Sequence, residues 1–229
     1  MSSNTKIFQE DLNKISIIIP IHNESLAIQK NLINIIDSFK EIISDYEIII
    51  VESGSTDNSR ELLRQINKKN IYRIVNEKNR NGWGSAIKIG IAHSKYNRVC
   101  FFPVDNQYSA VETASIINNF KGNIITYRKK SKTSLYRKLQ SKIFKKLIQL
   151  YLKLDFIDIN SLKIISKKDF YNYRSFSDDW GIDQDILIII QKNKLIYQEV
   201  GINIHQRNIG ESKVNIMDIF NLFFSIFKK

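Results

Sequence analysis

Apolar residues along this chain follow two rhythms. Short β-branched runs at residues 15–21, 46–51, 72–75 and 98–104 have the length and composition of strands. Between them, residues 25–39, 57–66, 84–93 and 110–120 carry apolar side chains at helical intervals. Such β-α-β-α alternation predicts an α/β fold, a parallel sheet covered by helices. In an open parallel sheet the ligand crevice lies beyond the carboxyl ends of the strands. Function is therefore expected where the strands end, at residues 20–24, 52–57 and 105–107, and all three segments are polar.

The later half is less regular. It offers a strand at residues 123–127, a basic helical stretch at 133–154 and a helix-then-strand unit at 182–205, with no internal repeat and no linker. Two stretches, IFKKLIQLYLKL (143–154) and IMDIFNLFFSIFKK (216–229), set an apolar face against lysines. Each reads as a helix lying in a membrane interface or as one packed on the core.

Composition narrows the classes. A chain of 229 residues fits one folded unit, and 43% hydrophobic and 25% charged residues with 2 Pro and 8 Gly exclude collagenous and low-complexity types. The single cysteine, Cys100, sits in an apolar run as a buried inert thiol, so no disulfide framework exists, in keeping with the cytosol. The net charge of +12 attracts polyanions: nucleic acid, anionic lipid headgroups or nucleotide diphosphates. Part of that excess reflects lysine usage that base composition alone can produce. No helix-turn-helix, zinc-ligand or aromatic RNA-platform signature is visible, which removes nucleic acid from the expected partners. No apolar stretch precedes Ile15, and no apolar run approaches the roughly 20 residues of a membrane span. The expected location is cytoplasmic, peripheral on the cytoplasmic face of a membrane.

The strand ends carry the chemistry. The first, IPIHNES, has no glycine, which disfavours a dinucleotide-binding turn, and Gly82-Trp83-Gly84 has the wrong context for one. The second, VESGSTDNS, offers Glu52 as an acceptor for a base or ribose, Gly54 for a tight turn and Asp57 as a helix cap. The fourth, FFPVDNQYS, delivers the Asp105 carboxylate and the Gln107 amide to the same rim, oxygen ligands suited to Mg²⁺ or Mn²⁺.

In order, ISIIIPIHNES, YEIIIVESGSTDNS, NRNGWGSAIKIG, VDNQYS and the distal HQRNIGESK resemble the family 2 glycosyltransferases of GT-A fold. The last piece resembles the polyprenyl-phosphate sugar synthases of the dolichyl-phosphate mannose synthase type. The resemblance implies a Rossmann-like, mostly parallel central sheet flanked by helices, with amphipathic interfacial helices in the distal half. It divides the single domain into a nucleotide-binding half (1–120), an acceptor half (121–214) and an amphipathic membrane-associating tail (215–229). It places Pro20, His22, Glu24, Glu52, Ser53 and Gly84 beside the nucleotide, and Asp105 and Gln107 at the metal. Arg128, Arg137, Arg207, Ser212 and Lys213 would hold phosphates, with Asp158 on the acceptor side. Asp183 and Asp185 match an acidic pair that in some relatives includes a general base. Glu52 and Ser53 stand where the family usually has two aspartates, and Pro103 stands where it has the first aspartate of an Asp-x-Asp motif.

The implied activity is metal-dependent, inverting transfer of a sugar from a UDP- or GDP-sugar to a polyprenyl phosphate. Two alternatives remain at this point: transfer to a hydroxyl of a surface glycan, as in O-antigen or capsule, and a non-catalytic relative acting as a binding module.

Overall fold

A computed structural model describes residues 14–129 and 135–205, without the side chains of Lys69, residues 135–141 and Phe144. Seven strands, β1 (Lys14–Ile21), β2 (Asp45–Ser53), β3 (Arg73–Glu77), β4 (Arg98–Phe101), β5 (Asn123–Arg128), β6 (Lys163–Ser166) and β7 (Tyr197–Ile202), form one sheet in the order β3-β2-β1-β4-β6-β5-β7. The helices are α1 (Ser25–Ile42), α2 (Ser59–Ile66), α3 (Trp83–His93), α4 (Ala110–Asn119), α5 (Leu135–Leu152) and α6 (Ile182–Asn193). Strands β3, β2, β1 and β4 are mutually parallel and β5 pairs parallel with β7, so the α/β expectation holds. The unexpected element is β6, which runs antiparallel between β4 and β5. Its local sequence, KIIS, is too short and too polar at its start to stand out as a strand.

Strand β1 lies inside the sheet, and its run of isoleucines is buried on both faces, as central parallel strands require. Alternation then feeds two cores. Ile17 and Ile19 face Ile28, Leu32, Phe39 and Ile117 of α1 and α4, where Phe39 meets Phe102 edge to face at 5.2 Å. Ile18, Ile49 and Val51 face Ile87, Ile148, Ile186 and Leu187 of α3, α5 and α6. Strand β4 stops at Phe101 rather than continuing to residue 104, because Pro103 has no amide for the ladder.

Arg98 is a cation built into this frame. Arg98 is 2% exposed; Nη1 donates to the Ile117 carbonyl at 2.7 Å and Nη2 to the Phe120 carbonyl. It satisfies acceptors at the carboxyl end of α4, where a positive charge is favoured. Burial lowers its pKa to about 10, so it stays charged at neutral pH.

Helix α3 lies against β1 through Gly90, where a Cβ would fall 2.3 Å from Ile18 Cγ2. Gly90→Val should therefore overpack the second core by about 1–3 kcal/mol. Thermal melting should show a midpoint lowered by roughly 3–10 °C.

Candidate active site

The turns after β1 and β2 are laced together by side chains. Asn23, in the left-handed region at φ 52°, accepts from the Thr56 amide at 2.8 Å and the Asp57 amide at 3.3 Å through Oδ1. In return the Asn23 amide donates to Ser55 Oγ at 3.1 Å and the Glu24 amide to Ser59 Oγ at 2.9 Å. Asp57 does more than cap the following helix: Oδ1 accepts from the Ser59 amide at 2.9 Å and Oδ2 from the Ser25 amide at 3.1 Å, tying the starts of α2 and α1 together.

Within this frame, Pro20 is buried in β1, and His22 Nδ1 donates to the Ser53 carbonyl at 2.7 Å. The Glu52 side chain is fully buried. Oε1 accepts from the Ser55 amide at 2.6 Å, and Oε2 accepts from Arg60 Nε and Nη2 at 2.9 and 2.6 Å. The carboxylate expected from the sequence to face a base or ribose thus anchors its own turn. Ser53 Oγ is buried with no hydrogen-bond partner among the described residues, and neither has Oε2 of Glu77, the register partner of Ser53 on β3. Glu77 Oε1 accepts from Asn81 Nδ2 at 2.6 Å and Ser85 Oγ at 2.7 Å, which fastens the start of α3 to the rim.

Beyond β4 the chain turns through Asn106, at φ 58°, and Asp105 Oδ1 accepts from the Gln107 amide at 3.1 Å. Asp105 and Gln107 are both half-buried on one turn. A carboxylate and an amide oxygen are hard ligands that fit Mg²⁺ or Mn²⁺, provided a ligand supplies further oxygens. No group of three or more His, Cys, Asp or Glu residues is placed to hold a metal among the described residues. The turn is pinned to the chain beyond β7: the His205 amide donates to the Gln107 carbonyl at 2.9 Å, and Tyr108 bridges to Ile204.

The acceptor-side residues gather at the same rim. Arg128 and Asp158 form a two-pronged pair, Nε to Oδ2 at 2.6 Å and Nη2 to Oδ1 at 2.9 Å. Much of the arginine's fork is therefore spent inside the protein rather than on a phosphate. Burial pushes the Asp158 carboxyl up, but the Arg128 guanidinium outweighs it and holds the group below the usual range. Next to it, Lys163 at the start of β6 is completely buried, and Nζ donates to the Ile159 and Ser161 carbonyls and to Asp183 Oδ1 at 2.7, 3.0 and 2.6 Å. Burial raises the Asp183 pKa, the Asp158 charge adds to the rise, and Lys163 opposes both. Asp185 is buried, with Oδ2 accepting from the Ser177 amide at 2.6 Å. Asp183 faces the cluster, whereas Asp185 holds the loop before α6. Lys163 and Glu77 were not singled out by the sequence; Lys163 is marked by Asp183 on α6 and Glu77 by Asn81 and Ser85 at the start of α3.

Gly84 has a packing role. A Cβ there would lie 2.0 Å from the Ser177 carbonyl, so the start of α3 sits directly on residues 177–179. Arg137 lies on α5 with its side chain outside the described set, and Arg207, Ser212, Lys213 and the tail at 215–229 lie outside the described residues.

The Glu52 carboxylate has a measurable signature. Burial pushes its pKa up, yet the Ser55 amide and the Arg60 guanidinium outweigh that and hold it below the ordinary value. A depressed carboxylate contributes stability above its unfolded pKa of about 4.3 and loses it as pH falls through the folded value. Glu52→Gln should cost about 1–3 kcal/mol at pH 7. In paired melting curves, the gap between variant and wild type should close as the pH falls below about 4.3.

Comparison with known proteins agrees with this geometry. The description of Glycosyl transferase family 2 matches residues 16–174, well over half of the chain. An undecaprenyl-phosphate 4-deoxy-4-formamido-L-arabinose transferase of Proteus mirabilis is 29% identical over 145 residues, 61% of this chain and 44% of the relative. This chain therefore spans less than half of that relative's length. Glucosyl-3-phosphoglycerate synthase of Mycobacterium tuberculosis, solved with Mg²⁺ and UDP, superposes with a TM-score of 0.68 at 17% identity, covering 93% of this chain and 78% of that one. The same synthase with Mn²⁺, UDP and glucosyl-3-phosphoglycerate gives a TM-score of 0.63 at 17% identity, covering 93% and 79%. Likeness at that identity establishes the GT-A fold alone. With the family match over residues 16–174 and the strand-end geometry in accord, this chain belongs to glycosyl transferase family 2.

Proposed function

We propose that this glycosyltransferase moves a sugar from a nucleotide diphosphate sugar to a polyprenyl phosphate at the cytoplasmic face of a membrane, with inversion at the anomeric carbon. The observation that carries the reading is the convergence on one rim of the Asp105–Gln107 turn and the ion-paired cluster of Arg128 with Asp158 and Lys163 with Asp183. The Proteus mirabilis relative, by its name, uses undecaprenyl phosphate, and the Mycobacterium tuberculosis synthase was solved with UDP and Mg²⁺ or Mn²⁺. Residues 1–120 would serve the nucleotide, residues 121–214 the acceptor and residues 215–229 the membrane.

In this reading Pro20, His22, Glu24, Glu52, Ser53 and Gly84 line the nucleotide side, and Glu52 also keeps its turn in place. Asp105 and Gln107 would hold a divalent cation against the diphosphate, whose leaving charge that cation neutralises. An acceptor oxygen attacks the anomeric carbon from the face opposite the nucleotide; the bond to the diphosphate breaks and a nucleoside diphosphate departs. A phosphate acceptor is already ionised near neutral pH, so the protein's contribution is positioning and charge compensation. The Arg128–Asp158 pair shapes the acceptor side, and Arg137, Arg207 and Lys213, with Ser212, are the cations and hydroxyl assigned to phosphate oxygens.

One observation favours a second acceptor class. Asp183 is held at one oxygen by Lys163 and its pKa is raised, which suits a general base that deprotonates a glycan hydroxyl. The decisive experiment incubates the protein in mild detergent with UDP- and GDP-sugars, Mg²⁺ or Mn²⁺, and either undecaprenyl phosphate or a hydroxyl-bearing oligosaccharide. Asp105→Ala should reduce glycolipid formation by about a hundredfold or more. Asp183→Asn should spare transfer to the phosphate; a comparable collapse would assign the hydroxyl reading. Absence of turnover with every pair would leave the binding-module alternative.

Helix α5 supplies the membrane side of the proposal. It buries Ile148 and Leu152 in the core but exposes Ile143, Leu147 and Leu150 in a row one and two turns apart. Exposed Lys142 and Lys146 flank that row, and α5 contains no acidic residue. Among the described residues no helix is long and apolar enough to cross a membrane. An apolar row edged by cations suits the surface of an anionic bilayer. Paired Leu147→Glu and Leu150→Glu changes should weaken binding to vesicles of mixed zwitterionic and anionic lipid by at least about tenfold in sedimentation.

A further inference from the structure

The chain has two tryptophans, and the fold stacks them on each other. Trp83 opens α3 and Trp180 lies in the loop before α6; their ring centroids are 5.2 Å apart with planes 14° from parallel. The loop is fastened to α3 at several points. A Cβ on Gly82 would fall 2.4 Å from the Asp178 carbonyl, and the Ser85 amide donates to that carbonyl at 2.9 Å. Lys88 Nζ reaches the Phe176 carbonyl at 2.9 Å and Asp178 Oδ1 at 2.6 Å. Backbone packing this close leaves the tryptophan pair little freedom.

That rigidity is not used to bury the outer ring. Trp180 remains 41% exposed. A stacked pair contributes about 0.5–1.5 kcal/mol beyond its burial, but a ring serving only to seal the loop to α3 would gain more by turning inward. Its position is informative. Helix α3 packs over β1 and β2 and starts from the carboxyl end of β3, while α6 starts beside Lys163 on β6. Between these anchors in the sheet lie β1 and β4, whose ends carry His22 and Asp105. The pair therefore stands on the rim side of the sheet, between the end of β3 and the start of β6. Exposed Asp178 and Asp179 adjoin it in sequence, and Asp183 follows in the first turn of α6.

We infer that Trp180, backed by Trp83, is the platform on which a sugar ring lies in this cleft. A saturated ring presents axial C–H bonds to an aromatic face, and its hydroxyls are donors for neighbouring carboxylates. This rests on the glycosyl transfer reading above. The ring could belong to the donor or to a glycan acceptor, and the two sources give different results in one assay.

Because both tryptophans of the chain are in the pair, intrinsic tryptophan fluorescence of the full chain reads this site directly. With Mg²⁺ present, UDP and GDP are compared with a panel of their sugar conjugates, then a short oligosaccharide is added to protein saturated with nucleotide. Calorimetry is run in parallel. The expected result is an emission change with a nucleotide sugar beyond that of the bare nucleotide. Trp180→Ala should weaken nucleotide-sugar affinity by about tenfold while leaving nucleotide affinity unchanged, and Trp180→Phe should retain most of the sugar-dependent gain. An emission change driven by the oligosaccharide alone assigns the platform to the acceptor's ring. Equal losses for nucleotide and nucleotide sugar in Trp180→Ala, or sugar-dependent binding in calorimetry with no sugar-dependent change in emission, overturn the platform and leave the transfer reading standing. Failure of the wild type to bind any nucleotide or sugar conjugate overturns both.

Discussion

The rim of this protein depends on a shortage of backbone partners. Strands β1 and β2 end side by side, and the turns that follow them leave amides that no ladder or helix can satisfy. Asn23, Ser55, Asp57 and Ser59 resolve this by exchange, each turn accepting from the other. The starts of α1 and α2 are fixed by the same bonds, so the first turn cannot move without the second. Everything placed beside the nucleotide in the proposed function, from Pro20 to Ser53, hangs from that lattice.

A second constraint acts across the sheet. The start of α3 rests on the loop before α6 with only glycine small enough at residue 84, and Glu77 ties the same helix start to β3. Through Asp185 and Asp183, that loop continues to the buried Lys163 and the antiparallel strand β6. Residues far apart in the chain thus share one set of contacts running from the end of β3 to the acceptor side. Buried ion pairs such as Lys163–Asp183 are costly to desolvate, which makes them better suited to fixing geometry than to adding stability.

Much of this frame was legible in the sequence because it is local. The isoleucine run of β1, the helical spacing of residues 25–39 and the polar strand ends each announce themselves within a few residues, and Asp105 could be placed at the rim from the strand that precedes it. What escaped notice depends on partners that no window contains. Strand β6 is four residues long and opens with a buried lysine whose charge is met by an aspartate distant in the chain. The charge of Glu52 was visible in the sequence, but Arg60's reach back to it was not. Arg128 and Asp158 were each assigned to the acceptor side, but nothing in their spacing reveals that they hold each other. The tryptophan stack joins a helix start and a loop whose proximity is a property of the closed fold.

The placement of β6 also bears on how the chain can assemble. The block β3-β2-β1-β4 is complete once the first hundred or so residues exist; β1–β2 and β2–β3 join consecutive strands, and β4 returns to pair with β1. Strand β5 is made soon after but meets that block only through β6, which emerges later and must slot between two strands already present. The edge of β4 therefore stays open during translation until residues 163–166 arrive. A nascent chain caught before that point carries an unpaired apolar strand edge, so the speed with which one short antiparallel strand inserts governs how long the growing polypeptide is exposed to misassociation.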